Sequence, residues 1–284
     1  MEIKVMITSK WQKRDDEYFD ENGLLRCNKC NTLRVWISPD KKHVARCACD
    51  CEIRTKKERE REAARQKAYE EFNNRRNLST IGSRYKNVRF ANAIITDNNR
   101  SAYQKCQNYV ANAKTMLKDN IGLYVYGDNS SGKTHLTACM CNELLSQGYY
   151  CVYTNLATIL DEIRSSYDKK GMGDSKLITR LQTYDFAFID DLGKEFIGRE
   201  HNASSAKWAE EKLYEIINAR YNAEKPMIFS SNYEIGELAS VLDLDKAIIE
   251  RIDEMSTRVM KLSGDDFRGQ RRNSKSDIAK KYGV

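Results

Sequence analysis

Apolar residues fall along the chain in two textures. From about residue 85 onward, short β-rich runs (Gly122–Tyr126, Tyr150–Thr154, Phe186–Ile189, Met227–Ser230) alternate with longer helical patterns such as Thr134–Gln147 and Lys207–Ala223. Phe186–Ile189 is apolar at every position, as a strand buried on both faces of a parallel sheet must be. Strands at this spacing, joined by helices, need crossover connections, which predicts an α/β domain with a mainly parallel sheet over residues 85–284. Residues 55–77, TKKEREREAARQKAYEEFNNRRN, carry high helix propensity without the apolar stripe that would bury them. They predict an exposed helical linker over 56–84; a basic arm on nucleic acid is the other reading, against which interleaved acids count. Residues 1–55 form a third region, set apart by closely spaced cysteines.

Composition narrows the setting. No apolar run approaches the roughly 18 residues of a membrane span, and the N-terminus MEIKVMITSKWQKRDDE lacks a signal-peptide core. A cytoplasmic protein is expected. In that compartment nine cysteines point to metal ligands or core thiols rather than disulfides. The net charge of +7 is compatible with a nucleic-acid contact without demonstrating one.

The strand ending at Tyr126 runs directly into GDNSSGKTH, which fits G-x-x-x-x-G-K-[ST], and a helical pattern follows. Strand, glycine loop and helix in that order make a phosphate-binding loop from Gly127, Asp128, Asn129, Ser130, Ser131, Gly132, Lys133, Thr134 and His135. Gly127 and Gly132 permit the backbone angles that aim successive N–H groups at one anion. The following helix adds its positive dipole end. Lys133 is placed to reach the β- and γ-phosphates, and Thr134 to ligate Mg²⁺. The second half of such a site is YDFAFIDDLG: an apolar strand ending in Asp190, expected to hold Mg²⁺, and Asp191, placed to orient the attacking water. PMIFSSN ends in Asn232, whose amide suits the γ-phosphate or that water. Further on, Arg251, Arg258 and Arg268 each offer a guanidinium for phosphoryl charge, and spacing alone does not choose among them.

The region LRCNKCNTLRVWISPDKKHVARCACDCE holds Cys27 and Cys30, then Cys47, Cys49 and Cys51, with His43 as a further donor. Two short thiolate groups flanking a β-like segment are how a structural zinc module is built, here from Cys27, Cys30 and two of the last three. A segment this small has little core of its own, so metal binding can supply its folding energy. Val35 and Trp36 beside the cluster offer an apolar contact.

The order of phosphate loop, acidic strand end, Ser-Asn strand end, Arg-Ile and a closing GDDFR resembles the AAA+ ATPases. WAEEKLYEIINARYNAEKPMIFSSNYEIGELAS resembles the bacterial and phage helicase loaders of the DnaC/DnaI type, over roughly residues 85–270. The resemblance implies Asn232 as sensor 1, Arg251 as an arginine finger acting on a neighbouring subunit's ATP, and Arg268 as sensor 2. It implies ATP-driven self-assembly, a replicative helicase of the DnaB type as partner, contact with single-stranded DNA, and an N-terminal zinc module that grips the helicase. Asp191 departs from the glutamate common in the family, which implies slow hydrolysis stimulated by partners or DNA. Residues Ile163–Arg180, with Arg164, Tyr167, Lys169, Lys170 and Lys176, are one place for the DNA; a solvated helix pair is the other reading. Two alternatives stand beside a loader: an ATPase helper of a transposase, and a non-hydrolysing adaptor or inhibitor of a helicase or initiator.

Overall fold

The computed structural model describes residues 12–168, 176–193, 203–242 and 244–263, together with residues 7, 266, 269 and 281. Two compact units divide the chain, Met1–Glu71 and Phe72–Val284.

In the first unit, strands β1 (Glu17–Phe19) and β2 (Leu25–Cys27) form one antiparallel hairpin. Strands β3 (Val35–Ile37) and β4 (Val44–Arg46) form a second. Ile7, Leu25, Val35 and Val44 make a small apolar core. Beside it, the buried Arg34 guanidinium pairs with Asp16 at 2.7 Å, with Glu17 at 3.2 Å, and with Glu52. These acids hold the Arg34 charge well above even its ordinary range, against the cost of burial.

Helix α1 (Asp50–Leu78) begins between Cys49 and Cys51 and contains no buried residue. It fits the charged helix its composition dictates. Phe72, near its C-terminal end, packs with the core of the second unit, which therefore begins before residue 85. After the helix, Ser79 and Ile81 are buried.

The second unit is built on a five-stranded parallel sheet of β5 (Leu123–Tyr126), β6 (Cys151–Asn155), β7 (Phe186–Leu192), β8 (Met227–Ser231) and β9 (Arg258–Lys261), in the order β6-β7-β8-β5-β9. Alternate residues of these strands enter two separate cores. Tyr124, Val152, Ala187, Ile189, Met227 and Phe229 pack with α5 (Leu156–Asp168), α6 (Lys176–Thr183), α7 (Ala203–Asn222), α8 (Ile235–Leu242) and α9 (Lys246–Met255). Leu123, Val125, Cys151, Tyr153, Phe186, Phe188 and Ile228 pack with α2 (Asp97–Ala111), α3 (Ala113–Lys118) and α4 (Lys133–Ser146). Both faces of the sheet are covered, which is why the buried stretches of β5, β6, β7 and β8 read as mostly apolar runs, whereas the edge strand β9 buries only Met260.

The edge strand β6 is protected rather than bare. Tyr153 N–H donates to the Ser79 carbonyl at 2.6 Å, and the Thr80 hydroxyl donates to the Tyr153 carbonyl at 2.7 Å. A second device is hidden in α7. Arg220 is fully buried, and its guanidinium donates to the carbonyls of Leu181 (3.0 Å), Tyr184 (2.5 Å), Asp185 (3.1 Å) and Pro226 (2.6 Å). Burial lowers its pKa to about 10, against the pull of nearby Asp185. Chain ends that enter β7 and β8 are thus tied by one buried side chain that satisfies four backbone acceptors at once.

Candidate functional site

The loop between β5 and α4 carries the conformations its glycines anticipate. Gly132, at φ +97°, caps α4, and Ser130 adopts φ +70°. Gly127, at φ +152°, is needed for a second reason: a Cβ there would lie 2.3 Å from the Leu262 carbonyl, where the chain leaving β9 crosses the loop. Leu262 N–H donates to the Tyr126 carbonyl at 2.7 Å, which fixes that crossing. Thr137 on α4 and Tyr153 on β6 share a 2.8 Å hydrogen bond, and the Tyr153 hydroxyl also reaches the Thr134 carbonyl at 3.3 Å.

Lys133 is buried, and its ammonium donates to the Gly127 carbonyl (2.7 Å), the Asp128 carbonyl (2.9 Å) and Asn232 Oδ1 (2.9 Å). The lysine of the loop and the amide ending β8 are therefore in direct contact. Thr134 Oγ1 lies 3.3 Å from Asp190 Oδ1. Ser230 also donates to Asp190 Oδ1. Burial pushes the Asp190 carboxyl above its ordinary range; the Ser230 bond opposes this, and the charge of Asp191 adds to it. Four candidates from three separated segments, Lys133, Thr134, Asp190 and Asn232, thus meet at the C-terminal end of the sheet, where α/β folds bind ligands.

Two observations test this cradle against a nucleotide. The Ser131 hydroxyl is buried in the loop with no hydrogen-bond partner among the described residues, an orphan that a phosphate oxygen would satisfy. The half-buried carboxylate of Asp190 sits beside a hydroxyl and a second acid, a donor set suited to Mg²⁺. The residues present fit ATP and its magnesium.

Other candidates have different surroundings. His135 Nδ1 is engaged by the Tyr103 hydroxyl at 2.9 Å. Arg251, on α9, rests over the Tyr214 ring at 4.6 Å and the Tyr221 ring at 5.9 Å, while the Tyr221 hydroxyl donates to Glu254 at 2.9 Å. Arg258 lies exposed on β9. Arg268 falls outside the described residues, as do Lys169 and Lys170. Arg164 stacks over Trp208 at 4.6 Å and pairs with Asp161 at 3.4 Å, contacts that belong to a solvated helix as readily as to a DNA surface.

In the first unit, Cys27, Cys30, Cys49 and Cys51 bring their sulfurs within 4.8 Å of one another. Cys27 and Cys51 are 3.6 Å apart, and Cys49 and Cys51 3.0 Å; a zinc tetrahedron with Zn–S bonds of about 2.3 Å has edges of ~3.8 Å. Cys47 is not in this group, and its Sγ lies 3.5 Å from the Leu33 carbonyl. The Thr32 hydroxyl holds the Cys30 thiol down to about 5, while Cys49 pushes Cys51 up to about 12. Four thiols packed this closely can all ionise only around a cation, so the donor set fits zinc. Trp36 is 54% exposed and Val35 is buried, so only the tryptophan of that pair is open to a partner.

Sequence reasoning gave no role to Ser230 or Arg220. The signal was present in one case: two serines close the strand Met227–Ser231 after its apolar start, and Ser230 reaches the acid pair.

Comparison with known proteins supplies the family. A model described as IstB-like ATP binding protein matches residues 70–276. The chain is 24% identical over 168 residues to the replicative helicase loader DnaC of Escherichia coli (strain K12), covering 58% of this chain and 64% of that protein. It is 31% identical over 160 residues to the phage-like element PBSX protein XkdC of Bacillus subtilis (strain 168), covering 55% and 56%. The match thus spans less than two thirds of each relative's length. A crystal structure of the DnaC helicase loader superposes with a TM-score of 0.53 at 22% identity, over 64% of this chain and 100% of that one, which establishes a shared fold. Among the described residues, no helix is long and apolar enough to cross a membrane.

Proposed function

The chain belongs to the IstB-like ATP-binding family, and from that premise we propose that it is an ATPase that loads a replicative helicase onto single-stranded DNA. The observation that carries the reading is the meeting of Lys133, Thr134, Asp190 and Asn232 at one sheet end, joined to a cysteine module of a kind a nucleotide site does not itself require.

Each residue then has a task. The loop amides from Gly127 to Thr134 bind the phosphates, and Ser131 gives its orphan hydroxyl to one of their oxygens. Lys133 exchanges its loop carbonyls and Asn232 for phosphate oxygens, which releases Asn232 towards the γ-phosphate or the water that attacks it. Thr134 and Asp190 hold Mg²⁺, whose chemistry is to neutralise charge on the phosphate oxygens. Asp191 orients the attacking water, and its short side chain suits slow turnover. Arg251 leaves its tyrosines to reach the nucleotide of a neighbouring copy, and Arg268 reaches that of its own. ATP binding favours the assembled state, and hydrolysis releases it. Cys27, Cys30, Cys49 and Cys51 hold zinc, and the module they close, with Trp36 outermost, grips a DnaB-type helicase.

The test is to mix the protein with a replicative helicase, ATP and single-stranded DNA and to measure complex formation and helicase loading. The family name favours one other reading, the ATPase helper of a transposase. Capture of duplex DNA and a transposase, with none of the helicase, would select it instead. Absence of ATP turnover with every partner would select the adaptor or inhibitor reading.

A further inference from the structure

The acid pair at the end of β7 does not lie on a regular strand. Ile189 pairs with Phe229 and Leu192 with Ser231, so Asp190 and Asp191 together face the single residue Ser230. This is a β-bulge, with Asp191 at φ +56°, a left-handed conformation that asparagine and aspartate tolerate better than most residues. In an unbroken strand consecutive side chains leave by opposite faces. The bulge breaks that alternation at the two carboxylates, and bulges beside active sites commonly re-aim a side chain in this way.

A bulge disrupts the ladder, and here side chains take its place. Ser230 is buried, and its hydroxyl does two things at once: it accepts the Asp191 N–H at 3.0 Å and donates to Asp190 Oδ1. The neighbouring Ser231 hydroxyl donates to the Leu192 carbonyl at 2.7 Å on the far side of the bulge. Ser230 therefore uses its one proton on the same carboxylate oxygen that Thr134 approaches at 3.3 Å. An alanine there would take the Ser230 oxygen from the Asp191 N–H and the Ser230 proton from Asp190, leaving the longer Thr134 contact to hold that carboxylate.

We infer that Ser230 is a positioning residue for the magnesium site, holding Asp190 and the Asp191 backbone in the one arrangement in which Asp190 and Thr134 converge. The inference rests on the reading that Asp190 and Thr134 hold Mg²⁺. Outer partners of metal ligands typically contribute about 10–100-fold in metal affinity.

The experiment measures the affinity of a fluorescent ATP analogue for the parent chain, S230A and S230T, in Mg²⁺ and in EDTA, alongside each variant's melting temperature without nucleotide. The quantity of interest is the tightening that Mg²⁺ gives. S230A should cut it about tenfold while its affinity in EDTA stays within about twofold of the parent, because Lys133 and the loop amides are untouched. S230T, which keeps the hydroxyl, should retain the parent's tightening. The same Mg²⁺ effect in S230A as in the parent overturns the inference. So does equal loss of binding in EDTA and Mg²⁺, or a folded S230T that behaves like S230A, because each makes the serine a matter of fold alone. A parent that binds ATP with no Mg²⁺ effect refutes the magnesium reading itself, and this inference with it.

Discussion

Replacing single cysteines of the N-terminal unit tests the zinc assignment, and the geometry fixes which replacement matters. Four sulfurs, those of Cys27, Cys30, Cys49 and Cys51, converge within 4.8 Å, and Cys47 is directed to the Leu33 carbonyl instead. Structural zinc contributes about 10–16 kcal/mol to small modules. The apolar core of this unit, among the described residues, is four buried side chains, worth about 1.5–3 kcal/mol each, so a bound zinc would stabilise the unit at least as much as its core does. Shared over four ligands, the zinc contribution amounts to roughly 2.5–4 kcal/mol per thiolate, or about 10²–10³-fold in zinc affinity. C49S should therefore lose zinc to a chromogenic chelator that the parent resists by that factor, and its N-terminal unit should melt early. C47S should keep one zinc per chain and the parent's melting curve. Zinc lost from C47S and kept by C49S would refute the geometric choice, and a folded parent that takes up no zinc would refute the site.

Other expectations follow from the second unit. R220M removes the donor from four carbonyls, two of them in buried hydrogen bonds; at the magnitudes known for charged hydrogen bonds, chemical denaturation should show a loss of about 3–6 kcal/mol, and a loss under about 1 kcal/mol would contradict the role given to this arginine. R251A should bind ATP normally yet lose most of the hydrolysis that rises with protein concentration or partners, by a factor on the order of 10³ if the finger acts in trans. Parent-like hydrolysis by R251A under those conditions would remove that role.

Much of this was legible because burial and charge write directly into sequence. Strands covered on both faces must be apolar throughout, so β5, β6, β7 and β8 were visible. Strand β9 was not, since Met260 is its one buried residue and its Arg258 reads as a free cation. Helix α1 was visible because nothing on it is buried. The phosphate loop was visible because its chemistry demands particular residues at particular spacings, although the close approach of Leu262 that also requires Gly127 arises from a strand more than a hundred residues away. The choice of Cys49 and Cys51 over Cys47 depends on where α1 begins, which spacing does not encode. Arg220 looks like any helix-surface arginine until the chain ends around it are in place. The bulge at Asp190 and Asp191 is a matter of register against β8, and register belongs to the sheet rather than to either strand.

Every functional role given to the second unit depends on Lys133 and the loop around it holding a nucleoside triphosphate. Calorimetric titration of the purified, folded chain with ATP and Mg²⁺ tests it most directly. One saturable site per chain is expected, lost in a K133A chain that remains folded; absence of heat and binding in the parent, or undiminished binding in K133A, would show that the loop holds no triphosphate.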